Sequence, residues 1–67
     1  MIVDGGKINS LRKGANLTLR DLAEQTGQHE SYISYIEREL KTPSVAVLKQ
    51  IADALGVTMD DLCKKGA

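Results

Sequence analysis

The apolar residues of this chain recur at intervals of three and four positions, and no stretch of four or more residues alternates cleanly between apolar and polar. This spacing places the apolar side chains along one face of an α-helix, whereas a half-buried β-strand would require alternation. Helices of roughly 8–12 residues are marginal alone, so they must share one core. The pattern predicts five short helices, on the stripes Ile8–Ala15, Leu19–Thr26, Ile33–Leu40, Leu48–Leu55 and Met59–Cys63.

Residues typical of helix ends lie between these stripes. Thr18, with Asp21 three positions later, can form a capping box at the start of the second helix, and Thr58 with Asp61 can do the same for the fifth. Gly27 follows the second stripe, where helices favour a left-handed residue. Pro43 and Ser44 mark the start of the fourth helix in a similar way, and Gly56 marks its end. We therefore predict an all-α, compact five-helix bundle in a single domain of residues 7–67, preceded by an N-terminal tail of residues 1–6.

Length and composition restrict what this chain can be. Its 67 residues suffice for one small domain. Nine basic and nine acidic residues give a net charge of zero, which argues against indiscriminate nucleic-acid binding but leaves room for a local basic face. Cys63 is the only cysteine, and with no signal-peptide pattern this predicts a reducing cytoplasm. No apolar run approaches the about 18 residues that span a membrane.

The residue types needed for catalysis or metal binding do not occur together. His29 is the only histidine, and no second histidine, cysteine or paired carboxylate stands at ligand spacing from it. A nucleophile, a base and an orienting group are not available as a set, and the chain has no glycine-rich phosphate loop. We therefore expect no metal, no cofactor and no enzymatic activity.

The segment 19–38 is the most informative part of the chain. Its pattern predicts a helix, a tight turn at Gly27 and a second helix. With Ile33 and Ile36 anchored in the core, helical geometry turns a polar face towards solvent. Serine and tyrosine hydroxyls both donate and accept hydrogen bonds, so such a face suits base edges or phosphates. The residues on it are Glu30, Ser31, Ser34, Tyr35 and Arg38.

At these residues the chain resembles the helix-turn-helix domain of the phage-repressor (Cro and repressor, or XRE) family. The resemblance runs from about Ile8 to Leu62 without a gap. It implies a lambda-repressor-like fold of five helices, binding to a palindromic double-stranded DNA operator, homodimerisation and transcriptional regulation in a bacterium or phage. The matching residues are Leu17-Thr18, Leu22-Ala23, Gly27, Ser31–Ser34, Ile36–Arg38, Pro43-Ser44, Leu48, Ala52, Ala54–Thr58 and Leu62.

The resemblance also implies roles for individual residues. The recognition helix would run from about His29 to Arg38 in the major groove, and Arg12 would form an ion pair with Glu37 that positions this helix. Of the two tyrosines, Tyr32 would pack partly against the core with its hydroxyl outward. The residues facing bases would be His29, Glu30, Ser31, Ser34 and Tyr35. The residues near the DNA backbone would be Thr18, Arg20, Tyr32, Arg38, Lys41 and Thr42.

The sequence departs from the family pattern at several positions. Leu19 stands where a glutamine is common, and His29 replaces the usual serine or threonine cap. Glu39 replaces the glycine that often ends the recognition helix, so we expect that helix to continue towards Leu40. Glu30 can accept from cytosine N4 but repels phosphates. With Glu37 and Glu39 beside the basic residues, the region is near neutral, which predicts low non-specific affinity and dependence on direct base readout.

The sequence allows two interpretations both of the fifth stripe and of the function. The fifth stripe could form a dimer interface through Val57, Met59, Leu62 and Cys63, or the same residues could fill the monomer core. The fold could also serve as a protein-interaction module, of antitoxin or anti-repressor type, instead of binding DNA. The polar face of the second motif helix favours DNA, because a protein-binding face would offer a contiguous apolar patch. Regulation of a DNA-binding chain of this kind would come from a protein partner, from proteolysis or from a longer parent protein of which the chain is a fragment.

Overall fold

The computed structural model describes residues 2–64, which form four α-helices followed by one 3₁₀ turn. The helices are α1 (Gly5–Gly14), α2 (Leu19–Thr26), α3 (Glu30–Glu37) and α4 (Val45–Leu55), and the 3₁₀ turn is Asp60–Leu62. α2 packs against α3 and α4, while α1 packs against α3 and the 3₁₀ turn. The described residues are helical and include no strand, but the prediction of a five-helix bundle is wrong, because the fifth stripe does not form an α-helix.

The segment after Gly56 stops after one 3₁₀ turn because its backbone pairs with the start of the chain. The predicted cap forms there, since Thr58 and Asp61 exchange reciprocal hydrogen bonds between side chain and backbone. Cys63 then turns extended and forms an antiparallel bridge with Val3. Backbone amides on either side of this bridge donate to carbonyls across it at 2.7 and 2.8 Å. These long-range bonds use the backbone groups that a longer helix would need.

The N-terminal segment is consequently part of the folded unit. α1 begins at Gly5, inside the stretch assigned to a tail, and Asp4 caps it by accepting a hydrogen bond from the Lys7 amide at 3.0 Å. Val3 is buried. Of the residues placed in the tail and the domain, Met1 and positions 65–67 lie outside the described part of the chain.

The helix starts follow the cap signals in the sequence. The capping box at Thr18 is confirmed, because its hydroxyl accepts from the Asp21 amide at 3.0 Å and the Asp21 carboxylate accepts from the Thr18 amide at 2.9 Å. These bonds lower the pKa of Asp21, with the Thr18 backbone as the largest cause. Ser44 caps α4 as predicted, accepting from the Val47 amide at 3.2 Å.

Each of the four helices is followed, one or two positions after its last residue, by a residue with positive φ. These residues are Asn16 (59°), Gly27 (68°), Glu39 (61°) and Gly56 (71°). After each of the four, the next amide donates back to a carbonyl in the last helical turn, as in a Schellman motif. Glycine and asparagine tolerate this conformation, whereas a glutamate rarely adopts it. α3 ends at Glu37, so the prediction that it continues towards Leu40 is wrong.

Glu39 adopts this conformation because its carboxylate is held by two partners distant in sequence. It accepts a hydrogen bond from the Gly5 amide at 3.0 Å and from Lys64 Nζ at 2.8 Å. The Lys64 bond is the main cause that lowers the pKa of Glu39, and the same bond raises the pKa of Lys64. Glu39 thereby ties the end of α3 to the start of α1 and to the C-terminal segment.

This contact predicts an acid-dependent part of the stability. Because the folded state lowers the pKa of Glu39, its contribution is complete above the ordinary glutamate pKa and is lost as the pH falls through the lowered value. Glu39→Gln keeps the side-chain length and the backbone strain but removes the charge. We expect it to be less stable than wild type by a constant amount from about pH 5 to 9, and the difference to shrink below about pH 4.

Urea unfolding at a series of pH values would measure this difference. Glu24→Gln is the matched control, because Glu24 forms only an exposed pair with Arg20 within one helix. A difference between wild type and Glu39→Gln that does not change between pH 7 and pH 3 would contradict the prediction.

The core lies between the four helices and the 3₁₀ turn. Its fully buried side chains are aliphatic, as expected from a chain without phenylalanine or tryptophan. They are Ile8, Leu22, Ile33, Ile36, Leu48, Ile51 and Leu62. The two α3 isoleucines fix which side of that helix meets solvent.

Candidate nucleic-acid interface

The solvent face of α3 forms a shallow hollow that is lined mainly by polar residues. Because Ile33 and Ile36 are fully buried, the residues between them on the helix point away from the core. The hollow has a volume of about 200 Å³ and lies against the first residue of α2, Leu19. Its other lining residues are Glu30, Ser31, Ser34, Tyr35 and Arg38. The structure thus brings together four of the five residues predicted to face bases.

The fifth, His29, lies beside this hollow at the start of α3. Its Nδ1 accepts a hydrogen bond from the Ser31 amide at 3.0 Å, so the ring serves as the N-cap of the helix. It also lines a second hollow, of about 290 Å³, together with Arg20 and Glu30. The imidazole therefore fixes the start of α3 at the point where its polar face begins.

A buried ion pair connects α3 to α1. Arg12 Nε donates to Glu37 Oε2 at 2.6 Å, and the two side chains are only 9% and 6% exposed. Arg12 also donates to the Leu17 carbonyl at 2.8 Å, and Asn9 Nδ2 donates to Glu37 Oε1 at 2.7 Å. Every hydrogen-bonding group of this cluster that is fully buried has a partner. The cluster therefore fixes the rotation of α3 relative to α1.

The residues predicted to lie near the DNA backbone occupy different environments. Thr18 is engaged in the α2 cap, and Arg20 forms an exposed pair with Glu24 at 3.4 Å. Tyr32 is half-buried and packs against the core. Arg38, Lys41 and Thr42 are exposed at the end of α3 and in the loop after it. Thr18 and Arg20 belong to the start of α2, and its first residue, Leu19, lines the same hollow as Arg38.

The four residues considered for a dimer interface also differ in exposure. Leu62 is fully buried in the core. Val57, Met59 and Cys63 are half-buried and pack against that core. Of these four residues, Leu62 therefore belongs to the core of the domain, and the other three keep part of their surface accessible.

Sequence reasoning missed three contributors to this site. Leu19 was noted only as a departure from a family pattern, yet it lines the hollow. Asn9 completes the buried ion-pair cluster, and Glu39 fixes the turn after α3. The spacing of Asn9 before Arg12 places both on one face of α1, which is a signal that could have found it.

Within residues 2–64, no group of three or more histidine, cysteine or acidic side chains is arranged to hold a metal ion. None of the helices in the same range has the length and apolar character needed to cross a membrane.

Comparison with known proteins gives a consistent result. A family model described as helix-turn-helix matches residues 8–62. An uncharacterised HTH-type transcriptional regulator of Mycobacterium tuberculosis is 45% identical over 58 residues, which cover 87% of this chain and 41% of that protein. The HTH-type transcriptional regulator SinR of Bacillus subtilis is 39% identical over 59 residues, covering 87% of this chain and 53% of SinR. This chain thus spans about half the length of these relatives.

Solved structures give the same result for the fold. SinR in complex with DNA superposes with a TM-score of 0.81 at 37% identity, covering 87% of this chain and 94% of that one. The P22 c2 repressor, solved with a synthetic operator, superposes with a TM-score of 0.88 at 26% identity, covering 96% and 97%. The arrangement of the four helices is therefore that of lambda-repressor-like domains.

Proposed function

This chain belongs to the XRE-type helix-turn-helix family, and on that premise we propose that it binds double-stranded DNA sequence-specifically as a transcriptional regulator, acting as a repressor in the cytoplasm. α3 would enter the major groove and read base edges with His29, Glu30, Ser31, Ser34 and Tyr35. Arg20, Arg38, Lys41 and Thr42 would contact the backbone, with Thr18 and Tyr32 at its flank. The role requires binding alone, without catalysis.

One observation carries this proposal. The exposed face of α3 presents hydroxyl-bearing and charged side chains around one hollow, and the buried Arg12–Glu37 pair fixes the orientation of the helix. Serine hydroxyls and a carboxylate offer both donors and acceptors to the major groove, where each base pair presents a distinct pattern. A rigid presentation matters because base readout depends on hydrogen-bond geometry.

We propose further that the protein binds as a homodimer to a palindromic operator. One recognition helix reads only a few base pairs, and a dimer places two such helices about 34 Å apart, one turn of the duplex. SinR and the P22 c2 repressor were both solved with DNA bound, which supports DNA as the ligand of this chain. Val57, Met59 and Cys63 would contribute to the interface between the two copies.

The first experiment is a selection of binding sites from random duplex DNA, followed by fluorescence anisotropy over a salt series. We expect an enriched sequence, bound more tightly than its scrambled version, with log K falling linearly against log salt by about 0.9 per phosphate contact. Failure of the folded chain to bind any duplex at about 50 mM salt would overturn the proposal and favour a protein-interaction module.

Ser34→Ala tests the position of the base-reading face. Loss of one hydroxyl in the hollow is expected to lower the preference for the selected site over its scrambled version by about fivefold to tenfold, through one lost hydrogen bond of about 1 kcal/mol. Binding to scrambled DNA should not change. Ser10→Ala, at an exposed serine on α1, is the matched control. Equal selectivity in both variants would show that the hollow does not read the bases.

A further inference from the structure

The charges at the end of α3 are separated in space, although they alternate in the sequence. Glu37 and Glu39 flank Arg38, so the sequence predicts a near-neutral region there. In the structure the Glu37 carboxylate binds Arg12 and Asn9, and the Glu39 carboxylate binds the Gly5 amide and Lys64. Both acids are therefore bound by partners other than Arg38, on the side of α3 that meets α1 and the chain ends.

The nearby cations converge instead on one aromatic ring. The Arg38 guanidinium carbon lies 5.2 Å from the centroid of the Tyr35 ring, and Lys41 Nζ lies 5.7 Å from the same centroid. Two like charges repel each other, but the face of an aromatic ring attracts each of them at this range. Tyr35 is 38% exposed, and its ring thus holds two cations at the rim of the hollow.

The backbone reinforces this arrangement. The left-handed Glu39 turns the chain back after α3, so that the amides of Leu40 and Lys41 both donate to the Tyr35 carbonyl, at 2.8 and 3.4 Å. Tyr35 therefore holds the turn that carries Lys41 through its carbonyl and the Lys41 ammonium through its ring. The main chain and the side chain of Tyr35 therefore both hold Lys41 close to the ring.

We propose that Tyr35 is a positioning residue that holds Arg38 and Lys41 together as a clamp for backbone phosphates of one DNA strand. The proposal rests on the proposed function and assigns the Tyr35 ring to phosphate binding, not to base readout alone. Long cationic side chains lose rotamer freedom when they bind a phosphate. A ring that has already ordered both of them reduces that loss, in the way that preorganisation raises affinity.

Two substitutions at one position separate the ring from its hydroxyl. Tyr35→Leu keeps an apolar side chain but removes the ring, and we expect it to weaken binding to scrambled duplex by about threefold to tenfold and binding to the selected site by at least that factor. Tyr35→Phe keeps the ring and should bind scrambled DNA within about twofold of wild type. Circular dichroism and thermal unfolding would show that both variants fold. Equal weakening by the two variants would overturn the proposal.

A mutant cycle tests whether the ring acts through the two cations. Arg38→Ala and Lys41→Ala should each lower the slope of log K against log salt by about one unit, as expected for a phosphate contact. When Arg38→Ala and Lys41→Ala are combined, adding Tyr35→Leu should have no further effect on binding to scrambled DNA. If Tyr35→Leu weakens binding by the same factor in this background as in wild type, the clamp is refuted.

The outcomes distinguish the clamp from the proposed function. A wild-type chain that binds no duplex refutes both, whereas DNA binding that is equal in Tyr35→Leu and Tyr35→Phe refutes the clamp alone. NMR of the free protein gives a readout without DNA. The side-chain protons of Arg38 and Lys41 should show upfield ring-current shifts in wild type and Tyr35→Phe that disappear in Tyr35→Leu. Absence of these shifts in wild type would overturn the placement of the cations.

Discussion

Replacing Arg12 with methionine is expected to destabilise the domain by roughly 3–5 kcal/mol, because it leaves the Glu37 carboxylate buried without its countercharge. Glu37 is only 6% exposed, and Asn9 would be its one remaining partner in the cluster. The Leu17 carbonyl would also lose the donor that Arg12 provides. A domain of this size has a stability of only a few kcal/mol, so the variant should be largely unfolded at 25 °C.

Urea unfolding followed by circular dichroism would measure this loss of stability. Two further variants test whether the loss comes from breaking the ion pair. Lys13→Met changes the adjacent, exposed basic residue of α1 in the same way and should leave the free energy of unfolding within about 0.5 kcal/mol of wild type. Arg12→Met combined with Glu37→Leu removes both charges and should recover most of the lost stability. An Arg12→Met variant as stable as Lys13→Met would show that the pair does not hold α3.

The helices that the sequence predicts correctly are those whose ends are set locally. Thr18 with Asp21, Gly27 and Ser44 act on backbone groups within four residues of themselves, so neighbouring positions suffice to locate these boundaries. The Thr58 cap is equally local and also forms, yet no α-helix follows it. There the decisive contact is the backbone bridge between Cys63 and Val3, which are sixty positions apart. The pattern of the local segment contains no information about this contact.

The same limit applies to charge at the candidate site. The order of residues around Arg38 gives their net charge but not the direction of each side chain. Glu39 lies where a glycine was expected, and its partners Gly5 and Lys64 come from the two ends of the chain. The polar face of α3 was predictable because it follows from helical phase alone. The separation of acids from bases was not, since it depends on contacts between segments far apart in sequence.

Gly5→Ala is the second substitution from which a large effect is expected. A Cβ at Gly5 would lie inside van der Waals contact with the Glu37 carbonyl oxygen, 2.6 Å from the Ile36 carbonyl oxygen and 2.7 Å from the Glu37 carbonyl carbon. All three are backbone atoms at the end of α3, so no side-chain rotation can relieve the clash. α1 and α3 must separate, which also disturbs the bond from the Gly5 amide to Glu39. We expect a loss of about 1–3 kcal/mol.

Gly14→Ala provides the matched control for this change. Gly14 ends the same helix, and a Cβ there would meet nothing within 4 Å. Because alanine favours helix over glycine, this variant should be as stable as wild type or more stable by up to about 1 kcal/mol. The two alanine variants therefore differ in sign, although the chemical change is identical. Thermal unfolding of both variants would measure this difference in stability. A Gly5→Ala variant as stable as Gly14→Ala would mean that α1 does not approach α3 as closely as described.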